Sequence, residues 1–235
     1  MAAHQVRVLL MGGQACVLYG AAEFSRDTDL LILAEAGNLE LLTAALDHLQ
    51  AERIAVPPFD IEFLKRGFSV HFRCHHTEAA DMRIDLMSVL RGVEDFDKLW
   101  SRRTTLTETD GVAYELMSLQ DLVRSKKTQR DKDWPMLRRL LEVDYLRNRS
   151  QPDDPHVRFW LLELRSPELL IEATKAHPAS TREIVSERPL LQLACEAAFP
   201  QLEMALEAEE KVEREKDRIY WKPLKQELER LRHAK

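Results

Sequence analysis

The sequence predicts a mixed α/β fold followed by an all-helical region. Three observations predict it: short apolar runs bounded by glycine in the first half, helical spacing of leucines between them, and no strand-like run beyond about Asp131. At 235 residues, 45% hydrophobic and 31% charged, the chain can bury a core as one large domain or two modest ones.

Val6–Met11 (VRVLLM) is a short apolar run ending at Gly12-Gly13, which predicts a buried strand entering a turn. Gln14–Ala22 predicts a short helix, and Thr28–Leu33 (TDLLIL) a second strand. Asn38 is suited to cap a helix on which Leu39, Leu42, Leu46 and Leu49 recur at helical spacing. After Pro57-Pro58, Asp60–Leu64 and Phe68–Phe72 predict a hairpin turned at Arg66-Gly67. Met82–Val89 (MRIDLMSV) and Val112–Met117 predict two further strands, and Leu119–Lys127 a helix. Pro135 fits the first turn of a helix running to about Arg147. The polar, proline-containing Asn148–Pro155 predicts a boundary, giving domains over 1–148 and 152–235. In the second, Glu207–Arg218 reads as a solvated helix face, and Leu224, Leu228 and Leu231 as a packing stripe.

Composition narrows the function classes. A net charge of −6 argues against coating nucleic acid by bulk charge. Cys16, Cys74 and Cys195 are too few and too scattered for a disulfide framework, which favours a reducing compartment. No basic segment precedes a long apolar one near Met1, and no run approaches the roughly 20 apolar residues of a membrane span, so a cytoplasmic protein with no membrane partner is expected. Cys74-His75-His76 lacks the spaced partner pair that a tetrahedral zinc site requires. No GxxxxGK or GxGxxG motif occurs, and Trp134, Trp160 and Trp221 read as packing residues.

The residues that carry chemistry are acidic. Asp27 and Asp29 open an apolar strand two positions apart, so both carboxylates leave one face with their backbones roughly 7 Å apart. Carboxylates converging from one face suit hard divalent cations. Gly12-Gly13 stands upstream, between a strand and a helix, where a missing Cβ permits close backbone approach to a phosphate. Asp85 lies inside MRIDLMSV, where a lone carboxylate is costly to bury; Ile84 and Leu86 face the other way, leaving Asp85 free to join the pair if the strands are adjacent.

GGQACVLYGAAEFSRDTDLLIL resembles the signature of the polymerase-β-like minimal nucleotidyltransferases: an apolar residue, Gly, then Gly or Ser, a spacer, and Asp-x-Asp on a strand. Ser25-x-Asp27-x-Asp29 is similar to the Thr/Ser-x-Asp-x-Asp form of bacterial members, and SLQDLVRSKKTQRDKDW to a downstream basic element, including that of toxin-type members. The resemblance spans roughly residues 6–145. It implies the family's mixed sheet with flanking helices, followed here by a helical C-terminal domain. It also implies Asp27, Asp29 and Asp85 as catalytic residues and ligands of two Mg²⁺ ions, or Mn²⁺. An NTP donor would then be held by Gly12, Gly13, Ser25, Lys126 and Arg130, with Lys127 competing for the place of Lys126. The acceptor would be a hydroxyl of a protein, an RNA or a small molecule, in a toxin–antitoxin pair with its antitoxin partner, a defence system or antibiotic resistance. The contrasting expectation is a non-catalytic module that binds a nucleotide or a protein.

Overall fold

The computed structural model describes residues 1–109 and 111–233, which divide into two compact units: Met1–Ser125 with Ile219–Lys235, and Lys126–Arg218. The first unit holds β1 (Val8–Met11), α1 (Gly12–Leu18), β2 (Asp27–Ile32), α2 (Ala36–His48), β3 (Glu52–Arg53), α3 (Ile61–Lys65), β4 (Val70–Arg73), β5 (Arg83–Met87), α4 (Phe96–Ser101), β6 (Thr104–Thr107), β7 (Ala113–Leu116) and α5 (Leu119–Ser125). The second holds α6 (Asp133–Asn148), α7 (Asp154–Glu163), α8 (Pro167–Ala176), α9 (Pro178–Ile184) and α10 (Leu191–Cys195). The last helix, α11 (Phe199–His233), contributes to both. The mixed α/β character and the helical C-terminal region match the sequence-based expectation.

Seven strands form one mixed sheet in the order β3-β4-β5-β2-β1-β7-β6. β2 sits at its centre, antiparallel to β1 and parallel to β5. Leu30, Leu31 and Ile32 are all at most 5% exposed, as a central strand covered on both faces requires. On one face, Leu30, Ile32, Ile84, Leu86, Val70 and Phe72 pack with Leu42, Ala45 and Leu46 of α2 and Leu64 of α3. Leu9, Met11 and Leu31 are buried on the other.

Local chemistry revises two expected elements. Asn38 does not cap α2, which begins earlier at Ala36. Its buried amide instead accepts from Arg7 N (2.7 Å) and donates to Leu33 O (2.9 Å) and Arg7 O (3.2 Å), tying the entry of β1 to the exit of β2. Asp60–Leu64 is not a hairpin strand: Asp60 accepts a hydrogen bond from Glu62 N at 2.8 Å, caps α3, and lets Leu64 turn inward. β4 pairs instead with β5 and β3. α5 ends at Ser125, short of Lys127.

In the second unit, Leu137, Leu140 and Leu141 of α6 are buried with Trp160 of α7. Trp160 packs edge-on to Tyr145 with ring centroids 4.9 Å apart, and its indole donates to Asp144 Oδ2 at 2.7 Å. Asn148–Pro155 is the joint between α6 and α7 inside this unit, whereas the division between units falls at Ser125–Lys126.

Asn38→Ala strands the Arg7 and Leu33 backbone groups, and we expect it to lower unfolding free energy by roughly 1–3 kcal/mol. Urea denaturation followed by circular dichroism checks this; an unchanged midpoint would mean that water or rearrangement replaces the amide.

Candidate functional site

β2 changes character along its length: Asp27, Thr28 and Asp29 are half-buried, and the three residues that follow are buried. The alternation sends Asp27 and Asp29 to one face and Thr28 to the other, where Thr28 lines a separate, mostly apolar cavity of about 650 Å³ with Val8, Leu10, Leu30 and Ile84. The parallel register pairs Asp27 with Arg83, Thr28 with Ile84 and Asp29 with Asp85. Directly opposed residues share a face, so Asp27, Asp29 and Asp85 lie on the same face of neighbouring strands.

The turn from β1 into α1 closes over this face. Gly12 has φ +64°, and a Cβ there would overlap the Asp29 carboxylate; a Cβ on Gly13 would overlap the Ser25 hydroxyl. Gly13 N donates to Asp29 Oδ2 at 3.4 Å, Gln14 Nε2 donates to Ser25 O at 2.9 Å, and Ser25 Oγ donates to Asp27 O at 3.2 Å. Gly12, Gly13 and Ser25 are therefore brought to Asp27 and Asp29. In this structure the space left by the two glycines is filled by the Asp29 carboxylate and the Ser25 hydroxyl.

Asp85 has two partners that sequence reasoning missed. His71 Nδ1 lies 2.7 Å from Asp85 Oδ1, and Arg83 places Nε 2.9 Å from Oδ1 and Nη2 3.1 Å from Oδ2. Burial alone would push the Asp85 carboxyl up, but the hydrogen bonds and charges of His71 and Arg83 outweigh it and hold the carboxyl below its ordinary range. Arg83 was legible, because residues two apart on a strand share a face. His71 was not, since it reaches Asp85 only through the β4–β5 register. Among the described residues, no group of three or more His, Cys, Asp or Glu side chains is arranged to hold a metal ion.

Lys126 and Arg130 belong to the second unit and to a different carboxylate. Lys126 is 9% exposed, with Nζ 3.3 Å from Asp133 Oδ1; Arg130 Nε lies 2.7 Å from Asp133 Oδ2, and Thr128 Oγ1 donates to the same oxygen at 2.5 Å. Asp133 opens α6, so this cluster braces the start of that helix. Lys127 pairs with Glu163 at 2.6 Å.

No family model matches the chain, and no curated protein is similar to it at a significant level.

Two outcomes test the site geometry. Arg83→Met removes a cation from Asp85, so the carboxyl should titrate at higher pH, as read by NMR of the side-chain carboxyl carbon. The sign follows from the lowered folded value: the Asp85 interactions stabilise the fold above the unfolded carboxyl range near pH 4 and are lost as pH falls through the folded value, so the variant should lose less stability on acidification. Gly12→Ala should destabilise the fold by roughly 1–2 kcal/mol or more through left-handed backbone strain alone, before the overlap with Asp29; wild-type stability in urea would contradict the close approach.

Proposed function

We propose that the chain is a nucleotidyltransferase that moves a nucleoside monophosphate from an NTP to an acceptor hydroxyl and releases pyrophosphate. The observation that carries the proposal is the β2–β5 register: Asp29 opposite Asp85, with Asp27 two residues away on the same face. The donor chemistry fits a hard divalent cation, since these residues offer carboxylate oxygens, and the missing Cβ of Gly12 gives the Asp29 carboxylate its place. Asp27, Asp29 and Asp85 would hold Mg²⁺ or Mn²⁺, which when bound would neutralise triphosphate charge and make the acceptor hydroxyl more acidic.

The chain's own residues supply position and charge. Gly13 N–H orients Asp29, and the Ser25 hydroxyl fixes the backbone at Asp27. His71 and Arg83 orient Asp85 and spread its charge. Arg83 also brings a permanent cation to a face whose carboxylates alone would repel a triphosphate. In the transfer itself, the acceptor oxygen bonds to the α-phosphorus as the bond to the bridging oxygen breaks; pyrophosphate leaves and water or a carboxylate takes the hydroxyl proton. A protein, an RNA or a small molecule would serve as acceptor, and a toxin–antitoxin or defence setting suits such chemistry.

One observation favours a second reading, a nucleotide-binding module without turnover: Asp85 is already engaged by two partners, as a structural carboxylate would be. Incubation with four α-³²P-labelled NTPs, cell extract and Mg²⁺ separates the two. Label transfer is expected from the wild type and is expected to be lost in Asp29→Asn, with the circular dichroism spectrum retained. Equal transfer by both proteins would defeat the catalytic proposal, and NTP binding without pyrophosphate release would support the module.

A further inference from the structure

The acidic face already carries a cation of its own. In the parallel β2–β5 register Arg83 stands opposite Asp27 and Asp85 opposite Asp29, so the guanidinium and the carboxylates share one face. Arg83 grips both oxygens of Asp85, with Nε 2.9 Å from Oδ1 and Nη2 3.1 Å from Oδ2. His71 Nδ1 is 2.7 Å from Oδ1 and 3.3 Å from Arg83 Nη2, which closes the three side chains into one cluster.

A carboxylate offers about four lone-pair sites, two on each oxygen. His71 and Arg83 take both on Oδ1, and Arg83 takes one on Oδ2. The site left on Oδ2 adjoins the Arg83 guanidinium, so a divalent ion there would meet a like charge at close range. The two cations compete for Asp85. Burial decides whether such a pair can open. Arg102 grips Asp121 at the same two points, at 2.7 and 2.9 Å, but that carboxylate is fully buried and release would strand its charge. The Asp85 side chain keeps 14% of its exposure and that of Arg83 39%, so water can take up either one. A freed Arg83 would remain on the face as a planar fork suited to phosphate oxygens.

Resting on the reading that the acidic face takes a divalent ion, we propose that Arg83 is a counter-ion latch on that site. It holds Asp85 until the donor binds, and passes to a phosphate of the triphosphate when nucleotide and divalent ion arrive together. A bare ion has to break the Arg83–Asp85 pair while the guanidinium gains no new partner, so metal loads poorly without nucleotide. One residue thereby lowers the affinity for the bare ion and raises it for the nucleotide with its ion. A residue that only supported the sheet would move both affinities in the same direction.

Two titrations of the full chain test the latch. Mn²⁺ alone is followed by electron paramagnetic resonance of the free ion, and each of the four labelled NTPs in excess Mg²⁺ by equilibrium dialysis. Arg83→Met should tighten Mn²⁺ binding about tenfold or more and weaken the best-bound NTP by a similar factor. Arg83→Lys keeps the charge without the two-point grip, and its Mn²⁺ affinity should fall between those of the wild type and Arg83→Met. Arg73→Met is the charge control: Arg73 stands opposite Arg83 in the β4–β5 register but is not a partner of Asp85, so its Mn²⁺ affinity should stay near the wild-type value. Unchanged affinity for either ligand in Arg83→Met, both affinities falling together, or equal tightening in Arg73→Met overturns the latch. Asp29→Asn tells that failure from failure of the metal reading. If Asp29→Asn loses Mn²⁺ while Arg83→Met binds it as the wild type does, the latch alone falls. If Asp29→Asn binds Mn²⁺ as the wild type does, or neither the wild type nor Arg83→Met binds it, the metal reading falls and the latch with it.

Discussion

The first unit depends on the register of β2 between β1 and β5. Side chains alternate along a strand, so a one-residue slip would move Leu30 and Ile32 away from their places against α2 and α3 and turn Asp29 into that apolar cluster. Each buried leucine or isoleucine stabilises by roughly 1.5–3 kcal/mol, and an unpaired carboxylate forced into an apolar core costs several kcal/mol more. The same hydrophobic packing that stabilises the sheet therefore decides which residues face Asp29. Asp29 stands opposite Asp85 in the one register that seats Leu30 and Ile32 against α2 and keeps the carboxylate out of that cluster.

Much of this was legible in the sequence, because it rests on period and punctuation. VRVLLM, TDLLIL and MRIDLMSV became β1, β2 and β5 with shifts of one or two residues at their ends. The sidedness of Asp27 and Asp29 follows from a period of two, and that of Asp85 from its neighbours Ile84 and Leu86. Long-range pairing was not legible. His71 meets Asp85 across β4 and β5, and Asn38 ties two strand ends rather than its own helix. The Asp60 cap was local and readable in principle, since an aspartate just before IEFLK can accept from the first free amides of a helix. The basic run near Lys126 shows the limit of reading charge density alone. α5 ends at Ser125, and Lys126 beyond it turns to the buried Asp133 carboxylate.

The glycine pair shows how one sequence signal admits two physical uses. A residue without a Cβ lets something come close, and the sequence cannot say what. In this structure the close neighbours of Gly12 and Gly13 are Asp29 and Ser25, residues of the same unit. The turn thereby couples β1, α1 and β2 at the one place where the central strand becomes polar.

Comparison of the clasped carboxylates separates anchors from a candidate site. Asp121 is fully buried, gripped by Arg102 at 2.7 and 2.9 Å, and bonded to Ser118 at 2.7 Å. Asp133 is 3% exposed in its side chain and held by Lys126, Thr128 and Arg130. Both sit at or near helix starts and have no room for another partner, so their charges are used up in holding the fold. Asp85 also has an arginine, but its side chain keeps 14% of its exposure, and its partner Arg83 keeps 39%. It stands in register with a second carboxylate that a glycine turn has been shaped to admit. Two neighbouring acids on an accessible face repel one another, and a fold gains nothing from that repulsion. Such an arrangement makes physical sense where a cation is met there, and in this structure Arg83 supplies it.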